Sequence, residues 1–166
     1  MPIFNLYCGV GFDELKLGMS MLESRATMFK ILKQKPSVIN IKYAIPNILQ
    51  DFYSDGVDIT YNTENRIEMI RVQYLNKVKL LLDGENISEK TKDELKFFLE
   101  KKGFKFKRID GSNVCNEMGF AYSSYRSKNI DFFYIFPKGD FKKILDENKK
   151  KYNAYSHPQL LHKWER

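Results

Sequence analysis

Residues 12–72 constrain the fold most: a helical pattern runs directly into short strand patterns divided by polar turns. The stretch opens FDELKLGMSMLESRATM and closes DFYSDGVDITYNTENRIEMIRV. Ser20 with Glu23 makes a capping box, which satisfies two orphan amides at a helix start. Leu22, Ala26 and Phe29 then recur at helical spacing, with Met21, Met28 and Leu32 widening the apolar stripe. Pro36 ends the helix no later than Lys35, because the residue before a proline is driven out of helical backbone. VINIKYAI follows, rich in β-branched residues and closed by Pro46. Asp55-Gly56 between ILQDFYS and VDITY predicts a tight hairpin, since both residues tolerate positive φ. Such pairing would bring Asp51 and Asp58 together on one face. The turn NTEN leads into RIEMIRVQYL, whose apolar alternation shifts phase between Met69 and Ile70 and predicts a bulge there.

The second half repeats this order loosely. VKLLL reads as a central strand, broken by Asp83-Gly84. Thr91 with Glu94 makes a second capping box, and Leu95, Phe98 and Leu99 form the buried stripe of the helix it starts. Lys101 and Lys102 complement the negative helix end, and Gly103 supplies the left-handed residue after it. FKFKRI alternates Phe104, Phe106 and Ile109 with Lys105, Lys107 and Arg108, the pattern of a core strand with a solvated outer face. MGFAYSSY and IDFFYIF read as a final strand pair, FKKILDENKKK as a third helix, and 151–166 as a C-terminal arm.

The expected class is therefore α+β: an antiparallel meandering sheet with two main helices on one face, in an element order that also suits two loosely duplicated helix-plus-hairpin units. Residues 1–166 form a single domain, with 1–75 and 76–150 as half-units, because no Pro/Ser/Gly-rich linker divides them. The expected core includes Leu22, Ala26, Phe29, Ile59, Ile67, Leu81, Leu95, Phe98, Leu99, Phe106, Phe133 and Ile135.

With 43% apolar residues, 13 Phe and 10 Tyr, the chain can bury a core of its own. No apolar run approaches the roughly 18 residues of a membrane span, and the N-terminus lacks a secretory pattern, so a cytoplasmic protein without a membrane partner is expected. The two cysteines, Cys8 and Cys115, make no disulfide framework; buried free thiols are favoured over a bridge.

Known chemistries find little footing. The only histidines, His157 and His162, lie in the terminal arm, where neither is held beside a nucleophile, and their spacing of five does not suit a helical zinc pair. The GVG at 9–11 lacks the Lys-Ser/Thr of a phosphate loop. We therefore expect no enzyme, no cofactor and no metal.

Two surfaces remain. Residues 51–68 hold Asp51, Asp55, Asp58, Glu64 and Glu68 against Arg66 alone, with Tyr53 and Tyr61 interleaved; the solvated-face reading competes with an acidic docking patch. Residues 1–75 carry as many basic as acidic side chains, so the whole net charge of +7 lies in 76–166. There Lys101, Lys102, Lys105, Lys107 and Arg108 cluster, offering a nucleic-acid-binding alternative. The arm's Tyr152, Tyr155, Leu160, Leu161 and Trp164 suit a tail packed on the body.

DELKLGMSMLES followed by DFYSDGVDITYNTENRIEMIRV resembles a bacterial helix–hairpin pattern. Leu15 to Ser20 match its lead-in, and Tyr53, Gly56, Val57, Ile59 and Tyr61 match its hairpin. The pattern is that of β-lactamase-inhibitor-protein-like and SmpA/OmlA-like folds, and of small cytosolic proteins encoded beside bacterial toxins. The chain departs from it where ILKQKPS replaces the usual segment after the helix. The resemblance implies a non-catalytic binding protein, an immunity protein that neutralises a toxin domain by occlusion. It transfers no catalytic residue.

Overall fold

The computed structural model describes residues 1–40, 49–73, 77–125, 128–144 and 146. The first half runs β1 (Ile3–Tyr7), β2 (Gly11–Phe12), β3 (Leu15–Lys16), α1 (Met21–Leu32), β4 (Ser37–Asn40), β5 (Leu49–Tyr53), β6 (Val57–Tyr61) and β7 (Ile67–Gln73). The second runs β8 (Lys79–Leu82), β9 (Glu85–Asn86), α2 (Lys92–Lys101), β10 (Lys107–Ile109), β11 (Ser112–Cys115), β12 (Phe120–Ser123) and β13 (Phe132–Ile135). A helical turn covers 141–144. Helix-then-four-strands thus occurs twice. The two four-strand meanders join through β13 and β7 into one antiparallel sheet of order β10-β11-β12-β13-β7-β6-β5-β4. A second sheet, β3-β2-β1-β8-β9, gathers the short strands before each helix, and its β1–β8 pair is parallel. The class is α+β and mostly antiparallel. The hydrophobic run 78–82 lies in this smaller sheet, with Leu80 and Leu82 buried and Leu81 half-buried, so it alternates instead of being enclosed on both sides.

Both capping boxes form. Ser20 N donates to the Glu23 carboxylate at 3.0 Å and Glu23 N donates back to Ser20 Oγ at 3.3 Å; Thr91 and Glu94 repeat the exchange at 2.8 and 3.4 Å. After α2, Gly103 N reaches Glu100 O and Phe104 N reaches Leu99 O, closing the helix before the chain turns.

The buried face of α1 differs from the expected one. Ser24, Met28 and Leu32 are buried, whereas Leu22, Ala26 and Phe29 face solvent. The helix carries apolar residues on nearly every side, so spacing alone leaves its rotation open. The contacts of Ser24 with Tyr61 and of Arg25 with Asp51 select the 24/28 side. Of the other expected core residues, Ile59, Ile67, Leu95, Leu99, Phe133 and Ile135 are buried, and Phe98 and Phe106 pack half-buried against them.

The β5–β6 hairpin also differs. Tyr53 pairs with Val57, so the loop is the three residues 54–56, and only Gly56 in it has a positive φ (85°). The bulge in β7 falls one residue early: Tyr61 pairs with Ile67 and Thr60 with Met69, leaving Glu68 as the extra residue. Met69 and Ile70 are then both buried, in separate clusters on opposite faces. One face of the large sheet shares its core with α1, α2 and the small sheet; the other is covered in part by Phe136, Phe141 and Ile144 over Met69, Val114 and Ala121. The expectations for Tyr152, Tyr155, His157, Leu160, Leu161, His162 and Trp164 lie outside the described residues.

Candidate functional site

The shorter reach of the hairpin decides where its acids go. A two-residue loop would have set Asp51 and Asp58 on one face. The three-residue loop pairs Asp51 with Ile59 and Phe52 with Asp58, and a one-residue change of register sends a side chain to the opposite face. The two aspartates are therefore separated by the sheet.

Asp51 lies under α1 with no exposed surface. Arg25 grips it with two parallel bonds, Nε to Oδ2 at 2.9 Å and Nη2 to Oδ1 at 2.8 Å. The Tyr61 hydroxyl donates to Oδ2 at 2.8 Å and lies 2.9 Å from Ser24 Oγ. Those partners satisfy both oxygens of an enclosed side chain that water does not reach. The Asp51 hydrogen bond raises the pKa of Arg25, while burial pushes the phenols of Tyr61 and Tyr53 well above their ordinary value.

Asp58 sits on the other face, bonded by both Nε and Nη2 of Arg71, whose guanidinium also lies 4.9 Å from the centre of the Phe132 ring. Burial raises the pKa of Asp58, and Arg71 pulls it part of the way back. Asp55 accepts from Gln34 Nε2 at 3.0 Å and is half-buried. Glu64 is exposed on the turn between β6 and β7, and Glu68 is half-buried at the bulge. Asp51, Tyr53, Asp58 and Tyr61 are buried. The hairpin thus presents no continuous acidic face, because its acids are spent on internal bonds.

Exposed apolar surface gathers elsewhere. Leu22 is 80% exposed, Phe29 49% and Val38 49%. At about 100° per residue, Leu22 and Phe29 lie within about 60° of Arg25 around the helix. Arg25 reaches down to Asp51, and Asp51 pairs across β5–β4 with Val38 on the sheet's edge strand. Leu22 and Phe29 therefore lie beside Arg25 on α1, and Val38 lies beside Asp51, the partner of Arg25, on the β4 edge of the large sheet.

The basic residues Lys101, Lys102, Lys105, Lys107 and Arg108 are all exposed, while Phe104 and Phe106 turn inward and stack with ring centres 6.1 Å apart. Lys102 Nζ donates to Asp83 at 2.7 Å. Lys101 Nζ lies 4.3 Å from the centre of Phe97, an aromatic that sequence reading passed over and that is 62% exposed. The run Phe97-Phe98-Leu99 was the available signal: a helix on a flat core can bury only two of three consecutive apolar side chains. Phe97, Phe98, Lys90, Lys101, Glu89, Glu94 and Asn86 line a depression of about 530 Å³.

Cys8 and Cys115 are free thiols, and burial pushes Cys8 up to about 12. Among the described residues, no set of three His, Cys, Asp or Glu side chains is grouped to hold a metal ion, and no helix is long and apolar enough to cross a membrane. Comparison with known proteins finds no matching family model, curated protein or solved structure.

Proposed function

We propose that this chain is a non-catalytic binding protein, an immunity protein that neutralises a bacterial toxin domain by occlusion. The observation that carries the reading is the exposed flank of α1: Leu22 and Phe29, with Val38 of the edge strand, around the Arg25–Asp51 pair. An aromatic and two aliphatic side chains around an arginine suit the centre of a protein interface, where a few desolvated anchors supply most of the affinity. The toxin class rests on the helix–hairpin resemblance of residues 15–61. The acids of the hairpin enter this reading as the support under α1: Asp51 fixes Arg25, and Arg25 fixes the helix flank.

The test is protection. This reading requires a toxin frame beside the gene; the chain is co-expressed with that frame, and growth is measured with the parent and with the double variant Leu22→Asp, Phe29→Asp. The parent protects and the variant, with an unchanged circular dichroism spectrum, does not. Full protection by the variant would remove the flank as the interface. No protection by the parent would remove the toxin reading.

A further inference from the structure

The small sheet packs on one side. Phe4 and Leu6 of β1, Phe12 of β2, Leu15 of β3, and Leu80 and Leu82 of β8 point inward and are buried in the main core. Strand alternation sends their neighbours outward. Across β1–β8, Ile3 pairs with Lys79 and Asn5 with Leu81. On the other side of β1, Tyr7 pairs with Gly11, and Gly11 with Lys16. Paired residues share a face, so these side chains lie on one outer surface. The solvent face of a sheet packed on one side is ordinarily polar. Here Ile3 is 55% and Tyr7 51% exposed, and half-buried Leu81 stands on the next strand beside Asn5, midway between them. Such a patch marks a contact surface.

The polar groups around this patch are engaged within the chain. Asn5 Nδ2 donates to Asp13 Oδ1 at 2.9 Å, Lys79 lies 3.7 Å from Glu89, and Lys16 reaches across Gly11 to lie 4.6 Å from the centre of the Tyr7 ring. Lys16 and Lys79 against Asp13 and Glu89 leave the surface without net charge. A nucleic acid or an anionic bilayer meets no excess of cations there, and a strongly charged protein meets no counter-charge. The complement of a neutral apolar face is another neutral apolar face. We propose that its occupant is a second copy of this chain, joined face to face through the small sheets about a two-fold axis. The order along β1 suits that symmetry. With the axis at Asn5 and the two β1 strands antiparallel, Ile3 of one copy meets the partner's Tyr7, and Tyr7 meets the partner's Ile3. Five strands at ~4.8 Å spacing and a β1 of about 17 Å give a face of at most about 400 Å², half of the ~800 Å² that each partner buries in a standard interface. The dimer is therefore weak and forms at high protein concentration.

The experiment is sedimentation equilibrium on the full chain from about 10 µM to about 1 mM, in about 0.15 M salt so that distant charges are screened. The mass should rise from that of the monomer toward that of the dimer and no further, since a two-fold contact closes on itself. Ile3→Lys with Tyr7→Lys sets like charges opposite each other across the axis and should weaken association about ten-fold. Ile3→Lys with Tyr7→Glu removes the same apolar contacts but sets opposite charges there, so it should associate more tightly than the like-charge variant. Both positions are exposed, so circular dichroism should be unaltered. If either spectrum changes, Ile3→Thr with Tyr7→Thr, which keeps strand propensity, should show the weakening instead. A parent that stays monomeric at the highest concentration, or that grows past the dimer, would overturn the proposal. So would a like-charge variant that associates as the parent does, or an opposite-charge variant no tighter than the like-charge one. Leu22→Asp with Phe29→Asp should dimerise like the parent; loss of the dimer there would overturn the proposal by moving the contact to α1. The toxin reading is decided separately, by protection.

Discussion

Arg25 and Asp51 meet across the α1–sheet contact with Nη2 2.8 Å from Oδ1, and only the arginine reaches water. The pair is lopsided: the side chain of Arg25 is partly solvated, that of Asp51 fully enclosed. Removing one partner of such a pair therefore has unequal effects, because water can take over for the arginine but not for the aspartate.

Arg25→Ala should cost on the order of 3 kcal/mol, since it strands a buried carboxylate with the Tyr61 hydroxyl as a donor. Asp51→Asn should cost less, because the amide oxygen still accepts from Arg25 and Tyr61. Urea unfolding at neutral pH measures both. An Arg25→Ala change below about 1 kcal/mol would mean that the enclosed carboxylate is sustained by something other than this bond.

Much of the local structure is legible in the sequence for a simple reason: caps and turns are decided by near neighbours. Ser20 with Glu23, Thr91 with Glu94, and Gly103 each act within a few residues, and each forms as the sequence implies. The alternation of Phe104 and Phe106 with Lys105 and Lys107 also holds, because a strand on a core has only two faces. The site is less legible. Whether Asp51 and Asp58 share a face depends on one residue of loop length, and the Asp-Gly signal does not distinguish a two-residue from a three-residue loop. The rotation of α1 depends on Asp51 and Tyr61, which lie 26 and 37 residues from their partners Arg25 and Ser24. No local pattern reports contacts at that range.

Gly119 marks where the two sheets touch. A Cβ there would stand 2.3 Å from Phe136 O and 2.6 Å from Gly9 Cα, and its φ of +68° already disfavours a side chain. Gly119→Ala should therefore destabilise by more than about 1 kcal/mol through backbone strain and clash together. Gly139→Ala is the control, with a similar positive φ and no atom within 4 Å. Thermal unfolding should separate the two, with Gly119→Ala melting lower. Equal melting temperatures would mean that the sheets part at this point without loss.

Stability should fall at alkaline pH. Burial raises Tyr122 and Tyr134 from 10.0 to about 12 and Cys8 from 9.0 to about 12, and pushes Tyr53 and Tyr61 higher still. A raised folded-state pKa means that the stability is complete below the unfolded value and is lost as pH climbs through the folded one. The urea midpoint should thus hold up to pH 9.0 and then decline toward pH 12, the range those groups define. Each group ionised only in the unfolded chain adds up to about 1.4 kcal/mol per pH unit to the slope. A midpoint that stays level across this range, with tyrosinate absorbance rising in the folded protein, would show that the phenols ionise in place.

The orientation of α1 gives the sharpest contrast between two neighbouring apolar faces. Met28 is fully buried and Leu22 lies in solvent, although both belong to one apolar-rich helix. Met28→Ala should cost about 2–5 kcal/mol, the sum of lost transfer energy and an unfilled cavity. Leu22→Ala should change stability by no more than about 0.5 kcal/mol, because an exposed side chain loses little burial on truncation. Both variants keep or raise helix propensity, so propensity cannot produce the difference. If Leu22 instead flanks a protein partner, its truncation should leave the urea midpoint unchanged and still weaken toxin protection. A Leu22→Ala loss of stability equal to that of Met28→Ala would turn the helix over. The docking flank would then lie in the core.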